Sequence, residues 1–211
     1  MADLKGKVAV ITGAASGIGL AGVEVFQNLL RSGTFSTLIM LFFVDDAKLD
    51  PATMGLLFSL GGVSAIVGAT LTGRATAAFG ESRVLIVGYT VGSLASLLVP
   101  LAGGPTWLAM AMFAGQQLIG DGATMAFEIT QTSAIQRLTP DRVLGRVVAF
   151  YRLAGQLSFL LGTGVAVVMA EALGVRGALL AASVGGLLSG LWLLGWHEDD
   201  TVHADPAARP A

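Results

Sequence analysis

The stretch VLIVGYTVGSLASLLVPLAGGPTWLAMAMFAGQQLIG, residues 84–120, contains no charged side chain and decides the fold class. As one helix it would be roughly 55 Å long at about 1.5 Å per residue, whereas a bilayer core is about 30 Å thick. Gly103-Gly104-Pro105 interrupts it, and glycine is favoured after one helix and proline at the first position of the next. The stretch therefore predicts a membrane helix hairpin over 84–102 and 105–127.

The composition of the 211 residues supports the same class. Apolar residues make up 54% and charged residues 12%, with a mean hydropathy of +0.77, whereas soluble domains carry about 25% charged residues. The net charge of −2 gives no indication of nucleic-acid binding, and the absence of cysteine excludes disulfides and cysteine-based metal sites or nucleophiles. We expect an all-α polytopic bundle in a lipid bilayer.

Four further apolar segments bring the total to about six transmembrane helices. They are 23–44, 51–73, 147–170 and 177–196. Asp50 is a candidate N-cap with Pro51 behind it, and Thr139-Pro140-Asp141 is typical of a helix start. Arg31 falls inside the first segment, where we expect its head group to reach a water interface.

The segments define three regions and their polar joints. Residues 1–22 form a leader unlike the rest, 23–196 form the six-helix transmembrane domain, and 197–211 form an acidic tail that we expect to be disordered. The predicted joints that carry charge are 45–50, 74–83, 128–146 and 171–176.

The basic residues divide unequally between the two ends of such a bundle. Alternating joints give ten on one side and two, Lys48 and Arg176, on the other. The ten are Lys5, Lys7, Arg31, Arg74, Arg83, Arg137, Arg142, Arg146, Arg152 and Arg209. Since cytoplasmic loops are rich in Lys and Arg, we expect a multi-pass cell-membrane protein with both termini in the cytoplasm.

The leader carries a glycine pattern of its own. Thr12-Gly13-x-x-x-Gly17-x-Gly19 follows a short β-branched run and resembles the cofactor fingerprint of the short-chain dehydrogenases/reductases. That resemblance implies binding of NAD or NADP by Gly13, Gly17 and Gly19, because glycines let backbone N–H groups approach a pyrophosphate. An acidic residue after a second strand would then be Asp45, following 38–44.

The rest of the dehydrogenase pattern is missing. The family's Tyr-x-x-x-Lys pair has no counterpart, since Tyr89 and Tyr151 are followed at the fourth place by Ser93 and Gly155. Three other interpretations stay open: a leftover or fused segment, a small-residue helix-packing pattern, and a signal peptide with an unusually short apolar core. We therefore expect no cofactor, with NAD(P) binding as the alternative.

Two loops resemble those of the major facilitator superfamily. Gly73-Arg74-x-x-x-x-Phe79-Gly80-x-x-Arg83 is similar to its short cytoplasmic loop, although the family's Asp and Arg fall on Ala77 and Ala78, and later basic positions on Glu81 and Ser82. Asp141-Arg142-x-Leu144-Gly145-Arg146, followed by Tyr151-Arg152, resembles the loop before the eleventh helix in the drug- and siderophore-exporter branch.

The resemblance covers residues 23–195 and implies the second six-helix half of a twelve-helix transporter. Such transporters move a small molecule by alternating access between two bundles. A second half, or a second copy of this chain, is therefore the expected partner. The alternative functions are a nicotinamide-dependent oxidoreductase and a truncated or rearranged fragment without activity.

Charges inside the predicted spans are the candidate functional residues, because they are unfavourable in hydrocarbon. Asp121 lies within the fourth span, and Glu128 lies seven residues on, at the cytoplasmic end of that helix and on the same face; the two could form a proton- or cation-coupling pair. Arg152 is a third candidate, although an anchor at the interface is the simpler interpretation. Asp121 could instead pair with Arg152, and Glu128 could lie among the lipid head groups.

Overall fold

The computed structural model describes residues 21–195, of which 192, 194 and 195 are described by backbone alone. In this part the chain forms six helical rods. They are α1 (21–46), α2 (Pro51–Phe79), α3 (Glu81–Leu101), α4 (106–138), α5 (141–173) and α6 (175–195). No strand occurs within residues 21–195, so the prediction of an all-α helix bundle is confirmed.

Two of the rods contain π-helical segments. In α1 the segments are Gln27–Phe35 and Phe42–Asp46, on either side of Ser36–Leu41. In α4 the segment Gln116–Asp121 joins Thr106–Gly115 to Gly122–Leu138. The backbone stays in the right-handed helical region at every junction, so each rod is continuous.

The joints between rods are short and have recognisable turn chemistry. The carboxylate of Asp50 accepts hydrogen bonds from the backbone N–H groups of Ala52 and Thr53, both at 3.1 Å, which confirms it as the N-cap of α2. Gly104 has a positive φ of 87°, and Pro105 is the N-cap rather than the first residue of α4. Gly174, with φ 72°, separates α5 from α6.

The Asp50 cap leads to a pH-dependent prediction. Hydrogen bonds from Thr53 hold the pKa of the Asp50 carboxyl below its usual value of 3.8. A lowered folded-state pKa means that the cap stabilises α2 above pH 3.8 and that this contribution is lost as the pH falls through the folded-state pKa. Asp50→Ala should therefore lower the thermal unfolding midpoint of the purified protein at pH 7, and the difference from native should shrink towards pH 3. A difference that is constant with pH would contradict this role.

The rods extend beyond the predicted spans. The charged stretch 74–83 is helical except for Gly80, and α4 continues past Glu128 to Leu138. Charged side chains do not end a helix once it leaves the hydrocarbon, because water and head groups accommodate them. By length and composition, three helices in the described part could cross a membrane: Pro51–Phe79, Glu81–Leu101 and Asp141–Ser189, the last of which contains Gly174.

The core has two apolar clusters at opposite ends. We call the end near residue 21, Gly80 and Pro140 the proximal end, and the other the distal end. The distal cluster centres on phenylalanine rings, with the Phe43 and Phe113 rings tilted by 49° and their centroids 4.2 Å apart. The proximal cluster packs the Tyr89 ring edge-on against Phe127, with centroids 5.1 Å apart.

Glycines, which have no side chain, let the backbones of α1 and α5 touch. A Cβ atom added at Gly162 would lie 2.9 Å from the carbonyl carbon of Leu29 and 3.0 Å from the Cα of Gly33. The hydroxyl of Thr34 donates to the carbonyl of Gly162 at 2.9 Å across the same contact. Small residues permit such close approach between helices in lipid, and this contact fixes α1 against α5.

Some sequence-based expectations change or fall outside the described part. Residues 38–44 are helical, so the second strand of the dehydrogenase hypothesis is wrong and Asp45 does not follow a strand. Gly13, Gly17 and Gly19 lie outside the described residues, as does the tail at 197–211.

Candidate functional site

A polar layer separates the two apolar clusters. Arg31 lies on α1 between Val23 and Phe35, and its Nη2 donates to the hydroxyl of Thr124 on α4 at 2.5 Å. The same guanidinium would lie 3.4 Å from a Cβ added at Gly92 of α3. The expectation that Arg31 reaches a water interface is therefore wrong, because its head group points into the bundle.

Arg31 is the positive charge shared by the two predicted carboxylates. It interacts electrostatically with both Glu128 and Asp121 of α4. Neither carboxylate comes within the 4.0 Å of a direct ion pair with it. Arg31 therefore acts on both carboxylates without touching either and is hydrogen-bonded to Thr124, which lies between them along α4; Asp121 is half-buried and Glu128 is exposed.

Amide side chains surround Asp121. The Nε2 of Gln116 donates to the Asp121 carboxylate at 3.3 Å, and Gln116 and Gln117 are both 5% exposed. Asp121 and Gln117 pack over the bare backbone of Gly61 on α2, where any Cβ would overlap them. Asp121 thus accepts a hydrogen bond from a neutral amide, and its cation Arg31 lies beyond ion-pair distance.

Two of the three π-helical segments of the described part lie in this polar layer. Gln27–Phe35 contains Arg31, and Gln116–Asp121 contains the amides and ends at the carboxylate. Such segments are rare and occur often at functional sites, because they turn side chains away from their regular helical positions. These two segments lie on α1 and α4, the helices that also carry Arg31, Asp121 and Glu128.

A second polar group lies towards the proximal end, between α1, α4 and α5. The Glu24 carboxylate accepts a hydrogen bond from Asn28 Nδ2 at 2.8 Å and another from the Tyr151 hydroxyl. That hydroxyl in turn accepts a hydrogen bond from the amide of Gln131. Glu24 interacts electrostatically with Glu128, which links this group to the polar layer.

Arg152, the third predicted site residue, does not join Asp121 and Glu128 in the polar layer. Arg152 on α5 has an exposed side chain, and the cation that interacts with Asp121 is Arg31 instead. The structure therefore brings Asp121 and Glu128 together with Arg31 rather than with Arg152.

The loop-motif residues gather at the proximal end. Gly73 and Arg74 lie in the last turns of α2, Gly80 forms the joint, and Arg83 lies in the first turn of α3. The second motif opens α5, and its members are Asp141, Arg142, Gly145 and Arg146. Glu81, at a position that is basic in the family motif, forms an ion pair with Arg137 at the end of α4.

Sequence reasoning missed Arg31 and Glu24 as members of the site. Both are charges within an apolar segment, which is the signal that identified Asp121. The position of Arg31 in the first segment suggested an interface residue, and Glu24 was not considered. Their partners lie on α4 and α5, which no spacing along one helix reveals.

Comparison with known proteins gives one result. A family model described as Major Facilitator Superfamily matches residues 10–211, which is nearly the whole chain. The match begins before Gly13, so the glycine pattern of the leader lies within it. Comparisons with curated proteins and with solved structures gave no match.

Proposed function

The chain belongs to the Major Facilitator Superfamily, and on that premise we propose that it exports a small molecule by alternating access, driven by protons. Members of this family are transporters, and the apolar rods α2, α3 and α5–α6 suit a multi-pass membrane protein. The observation that supports the finer proposal is that Asp121 and Glu128 both interact electrostatically with one cation of the described part, Arg31.

Charge balance provides the coupling mechanism. With both carboxylates ionised, the group of Asp121, Glu128 and Arg31 has one excess negative charge, and one proton makes it neutral. Moving a net charge through a low-dielectric barrier is unfavourable. A proton on Asp121 therefore favours the change of access, and its release to the other side completes the cycle.

A transport pathway requires a second bundle of helices facing this one. A six-helix bundle supplies one side of a transport route that lies between two bundles. We propose that a second six-helix unit, either a copy of this chain or another half, packs against this one. The α2 rod offers apolar surface for lipid or for such a unit, since Leu56, Ile66 and Val63 are 71%, 67% and 59% exposed.

The orientation follows from the basic residues. The proximal end carries the Arg-rich joints, and the distal end carries Lys48 and Arg176. We place the proximal end in the cytoplasm of a cell membrane, with both termini on that side. Glu24 and Glu128 would then lie nearer the cytoplasm than Asp121 does.

Dye efflux from cells tests the coupling role. Cells that lack their main drug exporters would be loaded with a rhodamine dye, and its loss followed with and without a proton gradient. We expect the native chain to accelerate the loss and Asp121→Asn to reduce that gain by about tenfold or more, as for loss of a group that transfers protons. The matched control is Asp46→Asn, since Asp46 is an exposed carboxylate at the end of α1. Equal efflux by native and Asp121→Asn chains would rule out the coupling role of Asp121.

A further inference from the structure

Glu24 is a carboxylate inside the bundle whose known partners are neutral. Asn28 and Tyr151 donate to it, and among residues 21–195 the charged group that acts on it electrostatically is the negative Glu128. Within residues 21–195 no arginine or lysine nitrogen lies within 4.0 Å of it. The described part of the site thus holds three carboxylates, Glu24, Asp121 and Glu128, against the one cation Arg31.

Gln27 supplies an independent observation. Its side chain is 4% exposed, and its Oε1 has no hydrogen-bond partner within the described part of the chain. A buried acceptor of this kind is normally satisfied, and leaving it unpaired is unfavourable. Residues three apart are neighbours on a helix surface, so Gln27 adjoins Glu24 on α1. A single positively charged group that also carries an N–H donor would both pair with the Glu24 carboxylate and satisfy the Gln27 acceptor.

We propose that Glu24 and Gln27 bind a protonated amine of the transported molecule. The ammonium forms an ion pair with the Glu24 carboxylate and donates an N–H to Gln27 Oε1. Asn28 and Tyr151 hold the carboxylate in place. A multivalent metal ion is not the expected ligand, because no group of three His, Cys, Asp or Glu side chains within residues 21–195 is arranged to hold one. The inference rests on the proposed function in one respect: the amine is the cargo.

Equilibrium binding to the purified full chain in detergent tests this without any transport step. The probes are 4-phenylbutylamine, which is protonated at pH 7, and 4-phenylbutyltrimethylammonium, which has the same charge but no N–H. We expect the amine to bind more tightly than the quaternary ion. Glu24→Gln should weaken amine binding by about ten- to a hundredfold, and Gln27→Met by about threefold to tenfold, as for hydrogen bonds with and without a charged partner.

Glu171→Gln is the matched control, because it makes the same chemical change at an exposed site on α5. If Glu24→Gln does not fold, Glu24→Asp keeps the charge but shortens its reach, and weaker amine binding by a folded Glu24→Asp supports the site. Equal amine binding by native and Glu24→Gln chains overturns the proposal, as does equal binding of both probes. If dye efflux still depends on Asp121 when amine binding does not depend on Glu24, this inference fails and the proposed function stands. If amine binding depends on Glu24 while Asp121→Asn exports normally, the amine site stands and the proposed proton coupling through Asp121 fails.

Discussion

Gly162→Val is expected to force α1 away from α5 and to destabilise the bundle by about 3 kcal/mol or more. Overpacking a well-filled contact typically costs about 1–3 kcal/mol, and more when the neighbours cannot move. Here the neighbours are backbone: a Cβ at Gly162 meets the carbonyl of Leu29 and the Cα of Gly33. A flexible side chain could rotate away, whereas these atoms can move only if the whole of α1 does.

Thermal unfolding of the purified protein in detergent would measure this effect. Gly164→Val provides the control on the same helix, because a Cβ at Gly164 has no atom within 4 Å. We expect the control to unfold close to the native midpoint and Gly162→Val to unfold well below it. Similar midpoints for the two variants would mean that α1 and α5 are not packed through this contact.

The rods could be predicted from the sequence because lipid imposes a simple requirement. A segment must be apolar for about 20 residues to cross, and the uncharged run 84–120 is long enough for two such crossings. Its division at Gly103-Gly104-Pro105 and the cap at Asp50 depend on backbone properties of single residues, so both were visible in the sequence.

The ends of the rods could not be predicted in the same way. Outside the hydrocarbon a helix stops where the backbone is forced to turn and not where polarity rises. Gly80 alone separates α2 from α3, and Leu138 ends α4 just before Pro140. The π-helical segments were also invisible, because they arise from packing between helices rather than from a residue type.

The site was predictable only in part, for a related reason. Asp121 was identified by its charge within an apolar segment, and Glu128 by its spacing from Asp121 on one helix. Arg31 and Glu24 acquire their partners on α4 and α5 through tertiary packing. The hypothesis that Asp121 pairs with Arg152 named the wrong cation, because the side chain of Arg152 is exposed in the fold.

Arg31→Met is the second substitution expected to have a large effect. It keeps much of the apolar stem but removes the cation that, within residues 21–195, acts on both Asp121 and Glu128. Removing one partner of a buried charge pair costs about 3–5 kcal/mol. These charges are not in direct contact and Glu128 is exposed, so we expect a smaller loss of about 2 kcal/mol. Arg152→Met, an exposed arginine on α5, should change stability by about 0.5 kcal/mol or less.

The double variant Arg31→Met with Asp121→Asn separates a charge effect from a packing effect. If Arg31 stabilises the bundle by compensating carboxylates, removal of one carboxylate should recover part of the lost stability, so the two changes are not additive. If Arg31 acts only through its hydrogen bond to Thr124, the double variant should be no more stable than Arg31→Met. Unfolding midpoints of the native, single and double variants in one detergent decide between these outcomes. Recovery would also support proton coupling, because protonation of Asp121 removes the same charge as Asp121→Asn does.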